Sequence, residues 1–168
     1  SIRRQRQMCI RDSTNIDPEP DNGDWNSRYA VDPNNNNIIV TGCYPDIYRS
    51  DDMGNSWKKI GDNLAGGKNF HCVVIPEANP GYIYASAENR IFKTTDTGNT
   101  WHSWAPSSEK IKGIAVSPYN ADHVWIVTGG YSAGQKVFRS YNGGLTWENI
   151  SGSLPNPVSY THLRAHET

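Results

Sequence analysis

Ser50-Asp51-Asp52-Met53-Gly54-Asn55-Ser56-Trp57 decides the fold, because the stretch returns twice. It recurs as Thr94-Thr95-Asp96-Thr97-Gly98-Asn99-Thr100-Trp101 and again as Ser140-Tyr141-Asn142-Gly143-Gly144-Leu145-Thr146-Trp147. The shared pattern is Ser/Thr-x-Asp-x-Gly-x-Thr/Ser-Trp, with Asn142 standing where the other copies have Asp. Each copy holds what a tight hairpin tip needs. A glycine (Gly54, Gly98, Gly144) tolerates positive φ, and an Asx side chain (Asp52, Asp96, Asn142) accepts hydrogen bonds from loop N–H groups. The leading hydroxyls of Ser50, Thr94 and Ser140 close the same loop, and Trp57, Trp101 and Trp147 are expected to pack beneath the tips between sheets. These residues read as structural rather than catalytic or metal-binding.

A second marker keeps the same beat: a strand ending in proline, at Val31-Asp32-Pro33, Val74-Ile75-Pro76 and Val116-Ser117-Pro118. Both markers recur roughly every 45 residues, the length of one four-stranded propeller blade. Within each repeat, two further runs are rich in β-branched and aromatic residues. They are Ile38 to Thr41 then Asp46 to Arg49, Tyr82 to Ala85 then Arg90 to Lys93, and Val124 to Thr128 then Lys136 to Arg139. A run after each Trp supplies a fourth strand. Turn residues at Asn34 to Asn37, Asn79-Pro80-Gly81 and Asn120-Ala121-Asp122 separate the first two strands. The expected fold is all-β: three four-stranded antiparallel blades of a β-propeller, part of a larger ring of roughly six to eight blades. The blades are placed at 14–62, 63–106 and 107–157.

The two ends read differently. One codon choice for Gln7 to Ser13 is, over most of its length, the reverse complement of one codon choice for Val158 to Leu163. Transposase-inserted sequencing adapters leave that signature, so 1–13 and 158–168 are read as adapter-derived and set aside before the fold is argued. They hold five of the 16 Lys and Arg and two of the 17 Asp and Glu, and the remainder is mildly acidic. That balance argues against nucleic acid as a partner, since phosphate binders concentrate Lys and Arg on one face. No window approaches the ~18 apolar residues of a membrane span. Cys43 and Cys72 form no metal-ligand spacing. A bridge between them is conceivable, with two buried thiols as the default, and no metal or cofactor is expected.

In the usual order of propeller strands, ligands meet two sets of loops. Those from each outer strand to the next inner strand carry Trp25 with Arg28, Asn69 with His71, and Lys110 with Lys112. Those between second and third strands carry Tyr44 with Asp46, Glu88 with Asn89, and Tyr131 to Lys136. The ligand-face candidates are therefore Trp25, Arg28, Tyr44, Asp46, His71, Glu88, Lys112 and Tyr131. Gly130 to Gln135 lengthens the third of the second-to-third-strand loops, and loops on rigid scaffolds carry function, which singles out Tyr131. His71 begins an inner strand; it either faces the central channel or is a satisfied, half-buried histidine.

The eight-residue motif resembles the Asp-box, or BNR repeat, of sialidases, sortilin-type receptors, tandem-propeller xyloglucan hydrolases and many secreted bacterial repeat proteins. Ile111 to Pro157 looks most like the last group. The resemblance implies boxes on the outer hairpins away from the active face, an extracellular or cell-surface location, and further blades in the parent chain. It implies a binding or scaffold module for glycans or protein partners, or part of a glycoside hydrolase whose catalytic groups lie outside these repeats. Glycoside hydrolysis needs two carboxylates about 5 to 10 Å apart, or in sialidases a Tyr nucleophile with an arginine cluster. The repeats show no paired acids at equivalent loop positions and no Arg-Ile-Pro signature, and Arg28 alone makes no arginine triad. A sortilin-like receptor would require a cysteine-rich module.

Overall fold

The computed structural model describes residues 28 to 155, which form twelve strands and no helix. Trp25 and both adapter-like ends lie outside the described residues. Strands β1 (Arg28–Asp32), β2 (Asn35–Cys43), β3 (Asp46–Ser50) and β4 (Lys58–Gly61) make one antiparallel sheet in chain order. Strands β5 (Phe70–Val74), β6 (Ile83–Ala87), β7 (Arg90–Thr94) and β8 (His102–Trp104) repeat it. Strands β9 (Ile111–Val116), β10 (Val124–Thr128), β11 (Val137–Ser140) and β12 (Glu148–Asn149) repeat it again. Each sheet is a meander, and the inner strands β1, β5 and β9 stand side by side.

Several strand bounds shift in detail. The inner strands β5 and β9 stop at Val74 and Val116, each two residues short of its proline, β6 begins at Ile83 rather than Tyr82, and β11 begins at Val137 rather than Lys136. The turn placed at Asn34 to Asn37 is shorter, and β2 already starts at Asn35. The physical reason lies in the asparagines and the neighbouring tip. Asn34 N–H is taken by Asp32 Oδ1 at 2.8 Å and Asn37 N–H by Asn35 Oδ1 at 3.1 Å, so side chains hold the bend. The first box reaches across to donate Met53 N–H to Asn37 O at 2.9 Å, which carries the sheet past its expected start.

Two apolar clusters lie at the two joints between sheets. Val40, Ile47 and Ile60 of the first sheet meet Phe70, Val73, Ile83, Ala85 and Phe92 of the second. Tyr84 and Ile91 of the second meet Ile111, Val124, Ile126 and Phe138 of the third. Successive strand residues point to opposite faces, so the middle sheet is covered on both sides and β6 is buried along its whole length. Strand β10, in the third sheet, keeps the one-sided pattern: Val124 and Ile126 are buried while Val127 is exposed.

Polar bonds cross the joints as well. Tyr84 OH donates to Ala121 O at 2.8 Å, and burial pushes that phenol pKa up. Lys93, almost fully buried, reaches Asp122 Oδ1 at 2.7 Å and lies over the Tyr82 ring, 4.4 Å from its centroid. At the first joint Asn34 Nδ2 donates to Glu77 O at 2.9 Å.

The eight-residue boxes link β3 to β4, β7 to β8 and β11 to β12, the two outer strands of each sheet. Their internal bonding repeats. Gly54, Gly98 and Gly144 N–H groups donate to Ser50 Oγ, Thr94 Oγ1 and Ser140 Oγ at 2.7, 2.9 and 2.8 Å. Ser56, Thr100 and Thr146 N–H groups donate to Asp52, Asp96 and Asn142 Oδ1 at 2.8, 2.9 and 2.9 Å. Gly98 has φ of 100°, and a Cβ there would stand 2.6 Å from Ile60 Cβ, so glycine is required twice over.

Asn142 preserves the cap by reversing one bond. The Thr100 hydroxyl donates to Asp96 Oδ2 at 2.7 Å, whereas Asn142 Nδ2 donates to Thr146 Oγ1 at 2.8 Å. Backbone and side-chain bonds from Thr100, with the Thr94 hydroxyl, draw the Asp96 pKa down to about 2. The box tryptophans are half-buried. Trp101 packs on the first joint and Trp147 on the second.

Candidate functional site: the cleft between the inner strands

Register separates two ends of the sheets. Arg28 pairs with Gly42 and Cys43 with Asp46, so the start of β1 and the β2–β3 turn share one end. Ser50 pairs with Ile39 and Ile39 with Val31, which puts the box at the other end. The second and third sheets follow the same order. The end away from the boxes therefore carries Arg28, Tyr44, His71, Glu88, Lys112 and Tyr131 together.

A cleft of about 300 Å³ opens there between the three inner strands, lined by Arg28 and Tyr29, by His71 to Val74, and by Lys112 to Ile114. Each sheet contributes. Cys72 Sγ donates to Lys112 O at 3.3 Å and ties β5 to β9 at the cleft wall, and the Lys112 stem lies along Gly129. Cys43 and Cys72 are both thiols, but only Cys43, with Sγ 3.8 Å from Thr41 Oγ1, is buried as expected; Cys72 is half-buried at the cleft wall.

The electrostatics are lopsided. Lys110 Nζ sits 2.8 Å from Glu88 Oε2, and its hydrogen bond holds the Glu88 pKa below the usual carboxylate range. His71 Nε2 is 3.8 Å from Glu88 Oε1, beyond hydrogen-bond distance. That nitrogen is buried and has no hydrogen-bond partner among the described residues. Burial first, then Lys112, lower the His71 pKa; Glu88 opposes them, and Lys110 and Arg28 add to the lowering. One carboxylate thus faces several cations.

The remaining candidates divide between contact and support. Tyr44 is partly exposed at the β2–β3 turn, and Tyr131 is 70% exposed in the long β10–β11 loop. Asp46 is buried and fully engaged: Lys59 Nζ lies 2.5 Å from Oδ2, and Asn63 N–H donates to Oδ1 at 2.8 Å. Burial pushes the Asp46 pKa up, but the bonds from Asn63 and Lys59 outweigh it and hold it low. That carboxylate braces the β4–β5 loop instead of facing a ligand. Two residues support the Tyr131 loop: Glu109, missed by sequence reasoning, accepts from the Ser132 hydroxyl, and Lys136, already read as the end of that loop, donates its Nζ to Gly130 O at 2.7 Å. Glu109 carries no motif; only its tertiary position reveals it.

No family model matches the chain. Two xyloglucanases are similar to it. That of Hypocrea jecorina is 24% identical over 125 residues, covering 74% of this chain and 15% of its own length. Xyloglucanase Xgh74A of Acetivibrio thermocellus is 30% identical over 128 residues, covering 74% of this chain and 12% of its own length. The chain spans only that small part of the relatives it matches. Among solved structures, the Niastella koreensis GH74 enzyme superposes with TM-score 0.58 at 23% identity, over 71% of this chain and 21% of that one. YCF48 from Cyanidioschyzon merolae superposes with TM-score 0.58 at 16% identity, over 78% of this chain and 38% of that one.

The fold is that of a β-propeller. The three sheets are three blades, the inner strands lie toward the propeller axis, and the cleft is a stretch of its axial wall.

Proposed function

We propose that these blades form the ligand-binding wall of a secreted or cell-surface propeller, meeting a glycan or a protein at the end opposite the boxes. The cleft carries this reading: one inner strand from each blade lines it, and Tyr44 and Tyr131 stand exposed at the same end. Concave sites with a few convergent polar groups are the usual ligand sites of a scaffold. The boxes, by contrast, spend their polar atoms on their own loops. Titrating the chain with oligosaccharides and with peptides, followed residue by residue by NMR, tests the proposal. Shifts at Arg28, His71, Lys112 and Tyr131 are expected; shifts confined to the box end would defeat it.

The xyloglucanase similarity favours a second reading, part of a glycoside hydrolase. Of the acids proposed for the ligand end, Asp46 is tied to Lys59 and Glu88 to Lys110, so neither is poised as a free acid or nucleophile. Catalytic carboxylates would then come from other blades. Release of reducing sugar from xyloglucan by this chain alone would contradict that placement.

A further inference from the structure

Resting on the ligand-wall reading, we infer that the cleft is a carboxylate subsite, in which Arg28 and Lys112 flank the ligand's carboxylate and His71 Nε2 donates a hydrogen bond to it. Three observations converge. First, three basic side chains from three different blades line one cleft, the cationic Arg28 on β1 and Lys112 on β9 with the His71 imidazole on β5 between them in chain order. Second, neither Arg28 nor Lys112 is neutralised by an ion-pair partner among the described residues, whereas the neighbouring Lys110 is, by Glu88. Third, His71 Nε2 is buried with no hydrogen-bond partner among the described residues; in the tautomer that carries the proton there it is an unpaired donor, which is costly. A carboxylate oxygen satisfies that donor and both cations together, while a neutral hydroxyl satisfies only the first.

Size and geometry agree. About 300 Å³ lies at the small end of ligand pockets and admits one sugar or amino-acid unit rather than a long chain. Guanidinium forks match carboxylate oxygens two at a time, and an ammonium adds a point charge from the other side. The groups facing His71 are Glu88 from the β6–β7 turn, Lys110 before β9, Lys112 on β9 and Arg28 on β1. Glu88 is already held by Lys110, so it leaves most of the positive potential unmatched. A bound carboxylate adds a negative charge facing the imidazole and raises its pKa. Binding therefore takes up a proton and tightens as the pH falls through the His71 range.

The test is NMR titration of the 168-residue chain, with histidine side chains labelled, against sodium glucuronate and N-acetylglycine. Glucose and N-acetylglycinamide are the uncharged counterparts. Saturable shifts of the His71 ring with glucuronate, N-acetylglycine or both support the subsite, and the pattern identifies a sugar acid or a peptide chain end as its source. Affinity should fall about tenfold or more in Lys112→Gln and in Arg28→Gln, the loss of one charge-assisted contact. An unchanged amide spectrum away from the cleft checks the fold of each variant. Neutral counterparts binding as well as the acids, or variants within twofold of the parent chain, would overturn the carboxylate assignment. Neutral sugars shifting the same residues would still uphold the ligand wall; no shift with any probe would remove both.

Discussion

Replacing Trp101 by Phe isolates the bond that joins the first two blades. The Trp101 indole N–H donates to Ile60 O at 2.7 Å, across the joint, and to Gly98 O at 3.2 Å within its own box. Ile60 lies where the β3–β4 register shifts, at a largely buried position. Phenylalanine keeps most of the ring's apolar contact with the first-joint cluster but cannot donate. The cost is that of leaving a buried carbonyl short of a partner, about 1 to 3 kcal/mol. Trp147 provides the internal comparison, since its N–H donates to Gly144 O at 2.9 Å inside its own box. Trp147→Phe should therefore cost only about 0.5 to 1.5 kcal/mol, the net worth of an ordinary hydrogen bond. Urea unfolding followed by far-UV circular dichroism measures both, free of the altered fluorescence. Equal losses in the two variants, or a Trp101→Phe loss below about 0.5 kcal/mol, would refute the argument that the indole bridges blades.

Other outcomes follow from the same geometry. Asp96→Asn should leave the unfolding midpoint nearly unchanged, because Asn142 makes the equivalent loop bonds in the third box, whereas Asp96→Ala should lower it. The Asp96 pKa is depressed from 3.8 to about 2, so its contribution is complete above pH 4 and is lost as the pH falls toward 2. Acid titration of stability should show that loss in the parent chain and not in Asp96→Asn. Asp122→Asn leaves the buried Lys93 ammonium without its carboxylate and should destabilise by about 1 to 3 kcal/mol, with a smaller loss in Lys93→Met because the carboxylate left behind is partly exposed. Among the described residues, Val31 on the first sheet and Val127 on the third are exposed, and such apolar surface should make the isolated chain self-associate. A monomer in sedimentation with a single cooperative melt would contradict this.

The boxes were legible in the sequence because their chemistry is local. Ser50, Asp52, Gly54 and Ser56 bond to one another within a few residues, so seven letters suffice to describe the loop and two repetitions to give the blade period. The strand order followed from turns of a few residues, which leave a meander as the simple solution. What the chain could not reveal by itself were pairings between residues far apart in sequence, within a blade or across blades. Asp46 reads as a ligand-face acid until Lys59 and Asn63 are found consuming it. Lys93 and Trp101 read as ordinary strand and box residues until Asp122 and Ile60 of neighbouring blades meet them. The cleft is a partial case: the blade repeat puts Arg28, His71 and Lys112 at near-equivalent positions of three blades, but it does not show how they face one another. Only the stacking of three inner strands brings their charges to one place and leaves the His71 nitrogen buried among them. Local hydrogen bonding and the repeat period were written in the sequence; the electrostatics of the site arise from long-range packing, which tertiary structure alone decides.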